Sequence, residues 1–387
     1  MKKKIVILGS TGSIGKNLLD IINSDKEKFK IVLLSAKKNY KILLKQANFY
    51  KVRHIIITDY VSYKKAKLTN KNNKINIYND FNILDKIFKS RIDYTMSSII
   101  GLDGLYPTLK MIKYTKLIAI ANKEAIICGW GLIKKKLNLY KTKFVPVDSE
   151  HFSIWKIINY EKEKNINKIF LTASGGPFLN KSVNQIKNVK ISEALKHPNW
   201  RMGKKISIDS ATMMNKVFEV IETKNIFSVN FNKIYILIHP KSYIHAIVKF
   251  NDGTSRLLAH EPTMKIPIFN TLYLNQYKEF KSKNLDIDIL NDLKLSKIDR
   301  NLFPVINILD FLPMKTSLFE TIIVAANDEL VSLFLQKKIN FNEISKNILK
   351  IINLNEFQKY KKKEPKNIQD IHILSKYVRL KVNSFCI

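Results

Sequence analysis

Cysteine is almost missing: Cys128 and Cys386 are the only two in 387 residues, and they lie far apart. They supply neither a disulfide framework nor paired zinc ligands, which suits a reducing compartment or indifference to redox conditions. Long apolar runs are missing as well. None approaches the roughly 18 residues needed to span a bilayer. The start, Met1-Lys2-Lys3-Lys4 then Ile5-Val6-Ile7-Leu8, mimics a secretory signal, but its apolar part stops at Gly9, too early for a signal core. It reads as a strand, and the chain as a cytoplasmic protein without a membrane partner. Acidic residues are scarce, 32 against 67 Lys plus Arg, for a net charge of +35. Those lysines are spread through the chain among Asn and Ile, as in Lys71-Asn72-Asn73-Lys74-Ile75-Asn76, and no Arg-rich or Gly-aromatic segment accompanies them. A compositional bias explains the charge better than a nucleic-acid partner. The positive field still attracts anionic small molecules.

What is present begins with a strand, a glycine-rich turn and a helix. Lys4-Ile5-Val6-Ile7-Leu8 runs into Gly9-Ser10-Thr11-Gly12-Ser13-Ile14-Gly15, after which Ile14, Leu18, Ile21 and Ile22 recur at helical spacing. Such a turn lets backbone approach a pyrophosphate while a helix N-terminus supplies N–H groups. The spacing is G-x-x-G-x-x-G rather than G-x-G-x-x-G, and a tight turn without a ligand is the competing reading. About 20 residues beyond the glycines an NAD enzyme places an acid for the ribose hydroxyl. Here Ser35-Ala36-Lys37-Lys38-Asn39 offers two lysines instead, which favours the 2′-phosphate of NADPH over NADH. Further strands are expected at 54–58, 92–96, 116–120 and 144–147, with helical patterns between some of them. Together they predict a doubly wound parallel sheet through about residue 145, an α/β arrangement. Ala121-Asn122-Lys123-Glu124 closes one of these strands, where ligands bind in such sheets.

The chemistry concentrates at Pro146-Val147-Asp148-Ser149-Glu150-His151. If this is a strand exit, Asp148 and Glu150 face one way with the Ser149 hydroxyl close by. Two carboxylates so placed resist ionising unless a cation lies between them, and Mg²⁺ takes such oxygen ligands. The alternative is a simple cap on a helix starting near Phe152. Ser174-Gly175-Gly176-Pro177-Phe178 follows a strand at 168–172 and can cradle a phosphate or merely turn. His197-Pro198-Asn199-Trp200-Arg201-Met202-Gly203 suits a mobile lid, or a surface loop with one packed Trp. Lys205 to Asp209 reads as a short strand leading into a helix with Ser210 at its N-cap, and Asn215 and Glu219 lie one turn apart on that helix. Strands at 234–239, 243–250 and 254–259, with an Asp252-Gly253 hairpin turn, predict a second sheet of mixed or antiparallel type. Residues 271–298 read as a linker, and helical patterns follow at 303–311, 318–335 and 344–352. The expected domains are 1–146 for a dinucleotide, 147–270 for metal and substrate with a lid at about 195–204, and 299–387 as a helical bundle.

In this order the motifs resemble those of the 1-deoxy-D-xylulose 5-phosphate reductoisomerases, over nearly the whole chain. The glycine turn is common to many dehydrogenases; Ala121 to Glu124, Pro146 to His151, Ser174 to Phe178, His197 to Trp200, and Asp209 to Lys216 with Glu219 are specific as a set. The resemblance implies an NADPH- and metal-dependent homodimer of the non-mevalonate isoprenoid pathway. It implies that Asp148, Glu150 and Glu219 ligate Mg²⁺ or Mn²⁺, with Ser149 and Lys123 contacting the substrate. Ser174, Ser210, Asn215 and Lys216 would hold its phosphate, and His197 and Trp200 would sit on a lid beside Met202. Thr11, Gly12, Ser13, Ile14, Lys37, Lys38, Asn39, Asn122, Glu124 and Gly203 would meet NADPH. Lys123, Asp148, Glu150, His197 and Glu219 would form the catalytic group. The family usually carries Gly where Lys37 stands and Asp where Thr263 stands. A metal-free Rossmann reductase and a basic nucleic-acid-binding protein are the competing functions.

Overall fold

The computed structural model describes residues 2–70, 74–158, 165–187, 189–200, 202–274 and 276–386. The chain forms two compact units. One holds the residues up to Ala125, Leu132–Asp148 and Met264–Phe280, and the other Ile126–Gly131, Ser149–Thr263 and the chain from Lys281.

In the first unit, β1 (Lys3–Leu8), β2 (Phe29–Ala36), β3 (His54–Ile57), β4 (Asn76–Tyr78), β5 (Ile92–Ser97), β6 (Thr115–Ile120) and β7 (Lys143–Pro146) form a parallel sheet. Its order is β4-β3-β2-β1-β5-β6-β7. The strands read as unbroken apolar runs because a parallel sheet is covered on both faces. Ile5, Val6, Ile7 and Leu8 of β1 are all fully buried. β4, three residues long, is the one strand of this sheet that leaves no pattern in the sequence. The chain steps outward from β1 to β4 and then returns to lay β5 on the other side of β1. Such a reversal opens a crevice beyond the carboxyl ends of the two strands. Gly9 follows β1 at this point. Helix Lys265–Leu272 comes back to this unit from far along the chain. It is fastened by the Tyr94 hydroxyl to Thr271 Oγ1 (2.9 Å), by Lys3 Nζ donating to Leu272 O (2.6 Å) and by the Tyr273 hydroxyl donating to Asp25 (2.9 Å). Residues 271–273, where the sequence reading begins a linker, are therefore tied to this sheet.

In the second unit, β8 (Ile166–Ala173), β9 (Ile234–Ile238), β10 (Ile244–Phe250), β11 (Ser255–Ala259) and β12 (Ser296–Lys297) form a mixed sheet of order β11-β10-β8-β9-β12. β8 and β9 run parallel and the other neighbours antiparallel. Asp252-Gly253 turns β10 into β11 as expected, with Gly253 at φ +87°. Ile169, Leu171, Ala246, Val248 and Phe250 from the sheet pack with Ile154, Val220 and Phe227 from helices Ser149–Ile157 and Met214–Phe227 into one core. Beyond β12 a 3₁₀ segment, Pro304–Phe311, precedes the buried helix Phe319–Leu335, against which Phe341–Ile352 and Ile368–Cys386 pack.

Two local readings are corrected. Lys205 to Asp209 is not a strand but part of helix Lys204–Thr212. The alternation of Ile206 and Ile208 imitates a strand, whereas the decisive spacing is Lys205 to Asp209, an i,i+4 ion pair of 2.8 Å. Ser210 accordingly sits in the last turn of that helix rather than at the N-cap of the next. The second correction is at Asp148: the strand ends at Pro146 and a helix already begins at Ser149, so Glu150 belongs to a first helical turn.

Candidate active site

At the mouth of the first sheet, Gly9 adopts φ +86°, and a Cβ there would lie 2.8 Å from Ser98 O. A Cβ on Gly15 would lie 2.5 Å from Ser10 Cα, so helix Ser13–Asn23 packs directly on the turn. Gly12 differs. Its φ is −79°, open to any residue, and its Cβ would meet only Gly9 O at 3.4 Å. Among the described residues nothing demands glycine at position 12, at the N-terminus of helix Ser13–Asn23. Space kept clear of side chain beside free N–H groups is what a pyrophosphate needs. Thr11, Ser13 and Ile14 around it are at least partly exposed.

Lys37, Lys38 and Asn39 stand exposed at the end of β2, and Lys37 pairs with Asp103 at 2.7 Å. Both partners are largely exposed, so the pair is worth little and is easily exchanged for a phosphate. Asn122 caps helix Lys123–Tyr140: its Oδ1 accepts from Ala125 N (2.5 Å), and its Nδ2 donates to Ile99 O and to Gly101 O (2.8 Å). Its side chain is thus engaged in bracing the loop after β5. Glu124 is buried in the first turn of the same helix. Lys123 Nζ donates to Asp148 Oδ2 at 2.7 Å, both groups being mostly buried.

In the second unit, Lys216 Nζ lies 2.8 Å from Glu150 Oε1, and also donates to Glu219 Oε2 and to Thr172 O. Glu150 comes from helix Ser149–Ile157 and Glu219 from helix Met214–Phe227, so one ammonium bridges carboxylates from two elements. Lys216 and Glu219 are both essentially buried. Burial opposes the charge on Lys216, but the two carboxylates outweigh it and hold the ammonium above its usual range. Ser149 Oγ donates to Glu150 Oε2 (2.6 Å), and Asn215 Nδ2 donates to Glu219 Oε1 (2.5 Å). Two carboxylates converging on one cation are a donor set suited to a hard divalent ion, with the ammonium as its stand-in.

The residues expected at the phosphate gather in this unit. Between helices Lys204–Thr212 and Met214–Phe227, Met213 adopts φ +67°, a strained conformation for a side-chain-bearing residue, held by the burial of its side chain. That bend sets Ser210 at the end of one helix near Asn215 and Lys216 at the start of the next. The Ser174-Gly175-Gly176 turn approaches Ser210 closely: a Cβ on Gly176 would lie 3.0 Å from Ser210 O. Ser174 Oγ accepts from Gly176 N (3.1 Å) and lies 3.0 Å from His197 Nε2. His197 Nδ1 accepts from both Asn199 N (3.1 Å) and Trp200 N (3.0 Å), so its lone pair is on Nδ1 and the proton on Nε2. Burial pushes this imidazole down to about 4. Ser174 Oγ therefore accepts twice and keeps its own proton to donate. The segment expected as a lid is anchored by Asn199 Nδ2, which donates to Pro240 O (2.6 Å) and Ser242 Oγ (2.9 Å). Arg201 lies outside the described residues, and Gly203 opens helix Lys204–Thr212 with open space around its Cα.

Two histidines were not anticipated. The Trp200 ring meets His245 edge-on at 6.1 Å, and His245 stacks on His260 at 3.9 Å. A register shift between Ile244 and Ala246 marks a bulge that turns His245 toward His260. Burial first, then the neighbouring His260, pushes His245 down to about 3, against the pull of Glu150. The only sequence signal was a histidine within a mostly apolar strand.

Family models match three segments: "1-deoxy-D-xylulose 5-phosphate reductoisomerase" over residues 5–130, its C-terminal domain over 144–227 and "DXP reductoisomerase C-terminal domain" over 260–381. The 1-deoxy-D-xylulose 5-phosphate reductoisomerase of Pelagibacter ubique (strain HTCC1062) is 58% identical over 387 residues, covering 100% of both chains. The Zymomonas mobilis enzyme solved in complex with NADPH is similar with a TM-score of 0.88 at 30% identity, over 100% of this chain and 99% of that one. A DOX-P reductoisomerase in complex with NADPH, fosmidomycin and magnesium gives a TM-score of 0.86 at 30% identity, over 99% and 98% of the two chains. This chain belongs to the 1-deoxy-D-xylulose 5-phosphate reductoisomerase family.

Proposed function

We propose that Asp148, Glu150 and Glu219 hold a divalent cation, Mg²⁺ or Mn²⁺, and that Ser174, Ser210, Asn215 and Lys216 hold the substrate phosphate. The enzyme converts 1-deoxy-D-xylulose 5-phosphate to 2-C-methyl-D-erythritol 4-phosphate with NADPH, in non-mevalonate isoprenoid precursor synthesis. The observation that carries the residue assignment is Lys216 bridging Glu150 and Glu219. That cluster already binds one cation and stands beside residues suited to an anion.

When bound, the cation supplies Lewis-acid stabilisation of charge on substrate oxygens, and NADPH supplies the hydride. The protein's own part is placement. Lys216 neutralises the two glutamates until a cation does so, and its ammonium is then available to the phosphate. Ser174 has a proton to give a phosphate oxygen because its lone pairs are taken by Gly176 N–H and His197 Nε2–H. The phosphate does not react, so its binding energy aligns the carbon skeleton for rearrangement and then reduction. Lys123, held by Asp148 at 2.7 Å, presents a positive charge to the substrate oxygens. His197 remains neutral, and with Trp200 it offers a face that adds no competing charge to the site. The backbone at Gly12, with Thr11, Ser13, Ile14, Asn122, Glu124 and Gly203, takes up NADPH, and Lys37, Lys38 and Asn39 meet its 2′-phosphate.

In this reading the nucleotide belongs with residues 1–146, the metal and substrate with 147–270 short of the return of Met264–Phe280 to the first unit, and the helical region is 299–387; the stretch at 271–298 connects them and also gives strand Ser296–Lys297 to the second sheet. Among the described residues no helix is long and apolar enough to cross a membrane. A cytoplasmic homodimer completes the proposal, and sedimentation at micromolar concentration checks the dimer. The deciding experiment is NADPH oxidation with 1-deoxy-D-xylulose 5-phosphate before and after exhaustive chelation. Turnover should vanish with EDTA and return with Mn²⁺; turnover that persists without metal would sink the assignment.

A further inference from the structure

We propose that Asp209 is a positioning residue through which the C-terminal helices hold the phosphate-binding corner in place. Asp209 lies inside helix Lys204–Thr212, next to Ser210, and is 1% exposed. Both of its oxygens are engaged. Oδ1 accepts from Asn327 Nδ2 at 2.8 Å, and Oδ2 meets Lys205 Nζ at 2.8 Å. Lys205 Nζ also reaches Asp328 Oδ1 at 3.1 Å. Arg379 then joins Asp328 (2.9 Å) and Glu329 (3.2 Å), and Asn383 Nδ2 donates to Glu329 Oε1 (3.0 Å). A continuous polar path thus runs from helix Ile368–Cys386 through helix Phe319–Leu335 to the helix that carries Ser210.

The reaction as proposed uses none of these groups, yet they are costly to keep. A buried carboxylate loses several kcal/mol of hydration unless it is paired and hydrogen-bonded, and an apolar side chain of similar size would fill the space at less cost. What the carboxylate adds is direction. Two partners from different positions, Lys205 one turn back and Asn327 from another helix, fix the rotation of helix Lys204–Thr212 about its axis. That rotation sets where the Ser210 hydroxyl points and how closely Ser210 O lies to Gly176. It also sets the start of the Met213 bend, hence the placing of Asn215 and Lys216 beyond it. Ser210 sits one residue from Asp209, so a small turn of the helix moves its hydroxyl off the phosphate.

This inference rests on the reading of Ser210 as a phosphate ligand, so Ser210→Ala is measured beside the test variants. Asn327→Leu removes one partner of Asp209, and Lys205→Met removes the other while keeping an apolar stem. With saturating Mg²⁺, both should raise the KM for the sugar phosphate about tenfold, the worth of a hydrogen bond to a charged group. The KM for NADPH should stay within about twofold, because an indirect effect on the phosphate corner does not reach the cofactor. Asn327→Leu combined with Ser210→Ala should be no worse than Ser210→Ala alone, since both act on one contact. If Ser210→Ala raises the KM and neither partner variant does, Asp209 has no positioning role. Should Ser210→Ala itself leave the KM unchanged, the phosphate reading fails first and the inference with it. A rise in both KM values together would mark a loss of general structure and overturn the proposal. Lys205, partly exposed, gives a variant that tests the idea even if the Asn327 change prevents folding.

Discussion

The turn after β1 offers a ligand backbone and little else, whereas the cluster around Lys216 is built of charged side chains. In the turn, a Cβ on Gly12 would meet no hard contact among the described residues. Around Lys216, an ammonium, two carboxylates, an amide and a carbonyl occupy one buried volume. The difference matches what each is proposed to bind. A pyrophosphate is a large, diffuse anion that spreads over several N–H groups at a helix end. A divalent ion with a sugar phosphate needs opposite charges a few ångströms apart, and such charges survive burial only when they satisfy one another. The first site can therefore be prepared by a short stretch of chain. The second has to be assembled from β8 and two helices.

Substitutions on each side should separate the two. The largest expected effect is Glu219→Gln, which removes a carboxylate from the cluster without changing its shape. The kcat/KM for the sugar phosphate should fall by about a thousandfold, as when a charge-stabilising group is removed from a water-excluded site. NADPH binding, followed by fluorescence titration, should be unaltered; an equal loss there would break the distinction between the two sites. Lys216→Met belongs to the same experiment with the opposite sign for metal. Substrate should bind far more weakly, but Mn²⁺ should bind at least as tightly once its competitor for the glutamates is gone.

Gly12→Ala and Gly15→Ala sharpen the other half. A methyl at position 12 meets no hard contact in the chain, so the melting temperature should hold while NADPH affinity drops about tenfold through the lost approach of backbone to phosphate. A methyl at position 15 would sit 2.5 Å from Ser10 Cα, so that variant should lose stability outright, by about 1–3 kcal/mol. Equal melting temperatures for the two would refute the claim that these glycines serve different purposes.

The smallest effect concerns pH. His197 is pushed down to about 4 by burial, below its unfolded value of about 6.5. The unfolded chain therefore takes up a proton that the folded chain refuses. Stability from this group is complete above pH 6.5 or so and is lost as the pH falls toward 4. Urea unfolding of the wild type should show that decline, and His197→Asn should flatten part of it. An unchanged slope would mean that the imidazole takes up its proton as readily in the folded chain as in the unfolded one.

Much of the first unit was legible because its information is local. Six of the seven strands are apolar runs, and the glycine turn sits where a strand meets a helix. The Asp252-Gly253 hairpin and the switch from parallel to mixed sheet were readable for the same reason. The helix over Lys204–Thr212 was not, since two isoleucines alternating with polar residues imitate a strand, and the i,i+4 pair of Lys205 with Asp209 was overlooked. For the cluster, the sequence carried Asp148 and Glu150 two residues apart and the pairing of Asn215 with Glu219 at one helical turn, and the resemblance joined Glu219 to the first two acids. It contained no sign that Lys216 would face Glu150, 66 residues away. Nor could it show that a bulge in β10 would turn His245 onto His260.

The sequence by itself determined most of the strands of the two sheets, where a glycine turn joins strand to helix, and which residue types are available for metal and phosphate. Periodicity and glycine placement act over a few neighbouring residues, so they survive in the one-dimensional record. Tertiary structure alone decided that Lys216, one turn from Glu219, also faces Glu150, and that Asp209, one turn from Lys205, also meets Asn327. Those pairings join elements distant in the chain. Their geometry is set by how helices pack on the second sheet, which no local pattern encodes.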